Sequence, residues 1–339
     1  MQSYSKTVRF IRAYIKSMRL YYSFITGIAG LIGISYYQYL VYSTDLQQPA
    51  DASVYQPASF PKLLAIMVIL FLSWGINQIY NDYLGMSEDR INAPDRPMVS
   101  GELHPLYAVT LSTVLMIGAM FITWFFLEPL AIIALVLGIG LNFLYEYAKG
   151  HGIWGNVIFG TMISMCAVYS FLAAGKPDIS IISWSNLLLI LYISLLNGLM
   201  TLYTYFKDYE GDKMTGKNTL IVKLGIERSK KLALLSAFLP LVSFLIIYYG
   251  FEAWDYEINS IVIMIGILST GLQLWTGYLY FHDPTGSKTY FSLSINFRAC
   301  ACTESAIIAV FNPALGVILF LLSFFFIGFL FNFHANVKG

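Results

Sequence analysis

Residues 77–101 read NQIYNDYLGMSEDRINAPDRPMVSG, and this stretch decides what kind of protein the rest of the chain must build. It starts inside a long apolar run, then carries Asn77, Gln78, Asn81, Asp82, Glu88, Asp89 and Asp95 before reaching Arg96-Pro97. An apolar run of that length crosses a bilayer as a helix. Polar groups at the end of such a span are costly unless water, partner groups or a bound ion satisfies them. Asn77, Asn81, Gly85 and Asp89 recur every fourth residue, so on a helix they drift slowly round one face, with Glu88 in the same stripe. Oxygen ligands in a row with a glycine gap suit a hard cation that holds a phosphate group. The plain alternative is a solvated helix end followed by a charged loop.

Working outward, the 339 residues are 58% hydrophobic and only 12% charged, with a mean hydropathy of +0.67. A soluble domain carries about twice that charge. Repeated apolar runs predict an all-α polytopic membrane protein, one integral-membrane domain over residues 1–339 with about nine transmembrane helices. Residues 1–19 hold Lys6, Arg9, Arg12, Lys16 and Arg19 and no acid, which reads as a basic interfacial segment rather than a cleavable signal. The expected spans are Tyr21–Leu40, Pro61–Leu84, Leu106–Phe126, Leu130–Tyr147, Trp154–Ala174, Trp184–Phe206, Leu232–Tyr249, Ile258–Phe281 and the run from Asn312-Pro313 to Phe331. Residues 290–311 are interrupted by Asn296, Arg298 and Glu304 and read as an interfacial amphipathic helix, because charge at mid-membrane is expensive. On that topology all the Lys and Arg except Lys62, Lys176 and Lys338 fall on one side. This bias places the N-terminus and two cap loops, 85–104 and 207–231, in the cytoplasm and the C-terminus outside.

Several function classes drop out. The net charge of +1 is uninformative about partners, and nothing in the sequence resembles a nucleic-acid reader. Cys166, Cys300 and Cys302 lie in or beside apolar segments without a companion metal pair, so they read as buried thiols. The four histidines have no ligand spacing.

The second charged window begins Lys207-Asp208-Tyr209-Glu210-Gly211-Asp212-Lys213. Asp208 and Asp212 are one helical turn apart and point the same way if the sixth span continues through them. Standing alone, the window reads as an ordinary charged loop. Paired with the first stretch on one membrane face, it supports specific chemistry. Carboxylates from both windows would hold Mg²⁺, which bridges the oxygens of a diphosphate. Arg96, Lys207 and Lys213 would neutralise remaining phosphate charge, with Lys149 and Arg19 as further candidates. A charge-compensated diphosphate leaves an allylic carbon as a carbocation, and some of the 25 Phe, 25 Tyr and 6 Trp offer ring faces to it. Any single aromatic is more often lipid-facing packing.

The ordered motifs resemble the UbiA superfamily of intramembrane prenyltransferases. That family's first motif, Asn-Asp-x-x-Asp-x-x-x-Asp followed by Arg-Pro, is met by Asn81-Asp82, Asp89 and Arg96-Pro97. Its Asp-x-x-x-Asp is met by Asp208 and Asp212, trailed by GDKMTGKNTLIVKLG. LYEYAKGHGIWGN, with Tyr145, Lys149 and Asn156, is similar to the family's segment between its fourth and fifth helices. The resemblance implies a helix bundle around a central cavity, capped by the two acidic loops, with a side opening for lipid-soluble molecules. It implies Asn81, Asp82, Asp89, Asp208 and Asp212 as catalytic. Asn81, Asp89, Asp208 and Asp212 would be ligands to two Mg²⁺, with Asp82 and Glu88 as further metal candidates, and the substrate would be an isoprenyl diphosphate. Gly85 departs from the pattern, standing where most members carry the middle Asp. Asn81, Gly85 and Asp89 instead fit the form seen in UbiA-type terpene cyclases, which favours a cyclase over prenyl transfer to a lipophilic aromatic or quinone-precursor acceptor. A channel or transporter is disfavoured, since the ionisable residues cluster at one end rather than along a pathway.

Overall fold

Uncharged runs of Leu, Ile, Phe, Val and Ala leave water only when every backbone N–H and C=O is paired within the segment, so each becomes a helix. The computed structural model describes residues 6–45, 58–175, 183–254, 258–286 and 289–336. The loop prolines Pro49 and Pro57, Asp51, Lys176-Pro177-Asp178, Lys288 and Lys338 lie outside the described residues. An amphipathic α1 (Lys6–Met18) precedes α2 (Ser23–Asp45), α3 (Phe60–Leu84) and the short α4 (Met86–Asn92). Then come α5 (Pro105–Phe126), α6 (Ile132–Ala148), α7 (Trp154–Ala174) and α8 (Trp184–Met214). The chain continues through α9 (Leu220–Leu224), α10 (Ile226–Ser236), α11 (Leu239–Leu245), α12 (Ser260–His282), α13 (Thr289–Phe311) and α14 (Pro313–Asn336). Starts are marked chemically. Pro61 and Pro105 open α3 and α5, and the Asn259 side chain accepts from the Val262 N–H at 3.0 Å to cap α12.

Ten segments among the described residues are long and apolar enough to cross a membrane, against the nine expected. The difference is α13. Far from lying at the interface, it is the most enclosed helix, with 94% of its apolar window buried, packed among α2, α8, α12 and α14. Its two charges are accommodated locally. Glu304 accepts a 2.8 Å hydrogen bond from Asn197 of α8, and the Arg298 guanidinium lies over the Phe324 ring at 5.0 Å. Asn312 then turns the chain, its Oδ1 accepting from the Leu315 N–H at 3.1 Å. The last helix therefore returns to the end where the chain began, with Phe331 against Tyr21 and Tyr290. The second cap loop is also corrected, because α8 runs unbroken to Met214 and α9 and α10 occupy most of the remainder of 207–231.

The bundle's centre is α7, which packs on α2, α6 and α8. Without a hydrophobic force between helices in lipid, close approach through small residues holds them. A Cβ on Gly33 of α2 would come within 2.1 Å of the Ala167 carbonyl oxygen, and one on Gly160 of α7 within 2.0 Å of the Ser194 carbonyl oxygen. Ser170 seals the first contact, donating to the Gly30 carbonyl at 2.6 Å. By contrast α5, with 11% of its window buried, faces outward. Gly160→Leu should therefore cost about 1–3 kcal/mol or more by forcing α7 off α8. Gly118→Leu, where a Cβ meets nothing within 4 Å, should leave thermal unfolding in detergent unchanged.

Candidate active site

The acidic stretch does what its spacing predicts. Helix α3 ends at Leu84, but the Gly85 N–H still donates to the Asn81 carbonyl at 2.9 Å and the Asp89 N–H to the Gly85 carbonyl at 3.0 Å. The helical path is thus nearly continuous, and Asn81, Gly85, Glu88 and Asp89 line one side of a polar chamber of about 90 Å³. The opposite side is supplied by Lys149 beyond α6, by Thr201, Thr204 and Asp208 of α8, and by Lys217. The two acidic windows meet.

Asp82 organises the cations. Almost fully buried, its carboxylate accepts from Arg19, from Gln78 Nε2 at 2.9 Å, and lies 3.5 Å from Arg96 Nη1. Arg96 also pairs with Asp89. Arg19 reaches this point because its backbone is left-handed (φ 49°), a conformation unfavourable for a residue with a Cβ, which swings the chain from α1 into the turn Leu20–Tyr22. Burial works most strongly against the Arg19 charge, but Asp82, Tyr21, Tyr22 and Asp89 together outweigh it and raise the guanidinium above its ordinary pKa. Lys149 behaves alike: burial opposes the ammonium, and Asp208, Asp212, Glu146 and Tyr205 together more than restore it, Nζ lying 3.8 Å from Asp212 Oδ1. Burial pushes the Asp89 carboxyl upward against the opposing pull of Arg96. Burial pushes Glu88 upward too, but hydrogen bonds from Lys217 and Ser87 prevail and lower it.

Residue by residue, the expectations divide. Asn81, Asp89, Asp208, Arg19, Arg96 and Lys149 line the chamber. Asp212 lies behind it, fully buried, with no hydrogen-bond partner for either carboxylate oxygen. Asp82 faces a second chamber of about 170 Å³, lined also by Lys16, Arg19, Arg96, Lys207 and Asp208. Lys207 is therefore in the neighbouring chamber, and Lys213 is exposed, its ammonium 5.7 Å from the centre of the Tyr209 ring. Glu88 is engaged by Lys217 at 3.0 Å.

Sequence reasoning missed Lys217, Glu146 and the aromatic wall. Tyr22 stacks on Trp74 (4.5 Å), Trp74 meets Phe159 edge-on (5.5 Å), and Phe159 meets Tyr145 (5.3 Å), all four lining the polar chamber. Trp74, Gln78 and Asn81 also line an apolar cavity of about 410 Å³ between α3, α5, α6 and α7. The size suits a lipid-like ligand. Periodicity alone could not find this wall, because its rings come from four helices.

The residues fit Mg²⁺. Among the described residues no three His, Cys, Asp or Glu converge on one metal position, yet the Asn81 Oδ1 and both Asp212 oxygens are buried acceptors without donors. Mg²⁺ is commonly held by one or two carboxylates, with phosphate oxygens and water completing the shell. Charge points the same way. Arg19, Arg96, Lys149 and Lys217 are balanced by Glu88, Asp89, Glu146 and Asp208, with Asp82 and Asp212 adjacent, so the walls hold no spare positive charge for a diphosphate.

The helical bundle joins a charged chamber to an apolar cavity, and its family and relatives make it an isoprenyl-diphosphate enzyme, Mg²⁺ being general to that family. The UbiA prenyltransferase family model matches residues 52–295, and the chain belongs to that family. It is 27% identical over 297 residues to a digeranylgeranylglyceryl phosphate synthase of Methanosarcina barkeri, covering 86% of this chain and 97% of the relative. It is 28% identical over 235 residues to the Sulfurisphaera tokodaii protein of that name, covering 68% and 80%. The fold matches a UbiA homologue from Archaeoglobus fulgidus bound to DMAPP and Mg²⁺ with a TM-score of 0.59 at 14% identity, covering 91% of this chain and 99% of that one. These relatives favour prenyl transfer over the cyclase expected from Gly85.

Two substitutions separate scaffold from site. Asp82→Ala leaves Arg19 and Arg96 without their common carboxylate and should cost about 3–5 kcal/mol, read as a lowered melting temperature in detergent. Asp212→Asn removes a buried carboxylate that accepts no hydrogen bond and whose ion pair with Lys149 is a long 3.8 Å, while Asp208 still faces that ammonium. It should hold or raise metal-free stability while abolishing the stabilisation that Mg²⁺ with pyrophosphate gives the wild type.

Proposed function

We propose that this protein transfers a prenyl group from an isoprenyl diphosphate to the hydroxyl of a phosphate-bearing lipid acceptor. The observation that carries the reading is the meeting of both acidic windows at one chamber that opens, past Trp74 and Asn81, onto an apolar cavity. The diphosphate lies among Arg19, Arg96 and Lys149, and the prenyl chain extends into the cavity. Mg²⁺ when bound supplies the positive charge the chamber lacks, held through Asn81, Asp89, Asp208 and Asp212. Arg96 and Lys149 hold the leaving group while Tyr22, Trp74, Tyr145 and Phe159 present ring faces to the developing cation. The allylic C–O bond breaks with its electrons leaving on the diphosphate. The acceptor oxygen forms the new C–O bond, and the hydroxyl proton passes to the released diphosphate.

Two observations support this acceptor class over an aromatic one. The relatives' name describes a product built on glyceryl phosphate. The second chamber, lined by Lys16, Arg19, Arg96 and Lys207, adjoins the first through Arg19, Arg96 and Asp208 and suits a second phosphate. In this reading Asp82 positions Arg19 and Arg96 between the two. The K/R bias supports a cytoplasmic placement of this whole face.

The test supplies purified protein with geranylgeranyl diphosphate and Mg²⁺, and in turn no acceptor, an aromatic acid, or a glycerophosphate monoether. A prenyl ether in the third arm alone is expected, lost to at least a hundredfold in Asp208→Ala. A cyclic hydrocarbon in the first arm, or product only in the second, overturns the acceptor assignment. Gly138 of α6 lines the apolar cavity, and a Cβ there meets only Met165, at 3.7 Å. Gly138→Phe should shift preference toward shorter diphosphates, measured by competition between chain lengths.

A further inference from the structure

The least expected side chain in the chamber is Lys217. It follows the second acidic motif, but no turn of α8 delivers it. The chain leaves α8 at Met214, turns through Gly216 (φ +75°), and the Lys217 N–H donates back to the Asp212 carbonyl at 2.8 Å. Asn218 and Thr219 then pair in a short parallel ladder with His151 and Gly152, just beyond Lys149. The ladder fixes the curl against the α6–α7 turn, and Lys217 projects from it into the chamber. Its ammonium lies 3.0 Å from Glu88 Oε1 and 3.8 Å from Glu146 Oε2, joining α4 and α6. Its side chain is 18% exposed, although no aspartate of either motif pairs with it.

Lys217 and Gly85 line the same chamber. A Cβ built on Gly85 would meet the Asn81 carbonyl oxygen at 3.0 Å and, as its nearest side chain, Glu88 Oε2 at 4.0 Å, and Glu88 is the carboxylate that holds Lys217. A longer acidic side chain at 85 would stand in the space beside that ion pair. On this side of the chamber the protein thus presents an ammonium where the first motif has no middle carboxylate. Lys217 carries three donors, and only Glu88 lies within hydrogen-bond distance, so its remaining donors can serve an anion in the chamber. Lys213 and Lys207 cannot take this role, one exposed over Tyr209 and the other in the neighbouring chamber.

We propose that Lys217 is a diphosphate-binding residue, held toward the chamber by Glu88 and Glu146, and that it supplies positive charge on the side where Gly85 provides no metal-binding carboxylate. This rests on the diphosphate reading of the chamber given above. The experiment uses the full chain in detergent and inorganic pyrophosphate with Mg²⁺, measured by calorimetry. Wild type should bind, Lys217→Met should bind about ten- to a hundredfold more weakly, and Lys217→Arg should stay within a few-fold of wild type. In a second measurement on unaltered protein, amines are acetylated with and without Mg²⁺-pyrophosphate and the peptides weighed. Lys217 should be protected by the ligand, whereas Lys213 should not. Equal affinity of Lys217→Met and wild type, or labelling of Lys217 that ignores bound pyrophosphate, overturns the inference alone. Failure of the wild type to bind pyrophosphate overturns the diphosphate reading and the inference with it.

Discussion

Asp82 sits where three constraints meet. It is almost inaccessible to solvent, it neutralises Arg19 from the turn after α1, and it lies 3.5 Å from Arg96, which reaches back from the segment after α4. Charges at the edge of a membrane cannot be left unpaired in protein, so each must find its counterion before the helices can close. The result is a chain of alternating signs running Arg19, Asp82, Arg96, Asp89 across four segments. Because Arg19 and Arg96 each line both polar chambers, the network that closes the bundle also places the site's cations. Stability and binding are therefore coupled at this end of the molecule.

The other end obeys lipid rather than charge. Close backbone contact through Gly33 and Gly160 locks α2, α7 and α8, and α13 is wrapped by its neighbours. That locked centre carries Asp208 and Asp212 on one face of α8 and stops the charged end from drifting. The balanced signs of the chamber walls leave them neutral until substrate and cation arrive together. Mg²⁺ is commonly held by few protein carboxylates, with phosphate oxygens and water completing its shell.

Gly85 illustrates how a motif can mislead. Read as a missing carboxylate, it points to cyclases. In three dimensions the gap borders the Asn81 carbonyl and Glu88, and Glu88 is itself held in an ion pair with Lys217. The relatives, synthases of a digeranylgeranylglyceryl phosphate, point toward transfer. One residue type at one motif position is weaker grounds for reaction class than the whole chain's kinship.

The sequence by itself determined the membrane class, seven of the spans to within two residues at each end, and the encounter of the 77–101 stretch with Asp208 on one face. Apolar run length and four-residue spacing are local properties that need no partner to be read. It did not determine that α13 is a buried helix of spanning length inside the bundle, because Glu304 and Arg298 look prohibitive until Asn197 and Phe324 are placed beside them. Nor did it separate Lys217 from Lys207 and Lys213, three lysines close together in one charged window. Only the return of residues 217–219 onto His151 and Gly152 sends one of them into the chamber. That contact joins residues far apart in the chain, and no spacing rule contains it.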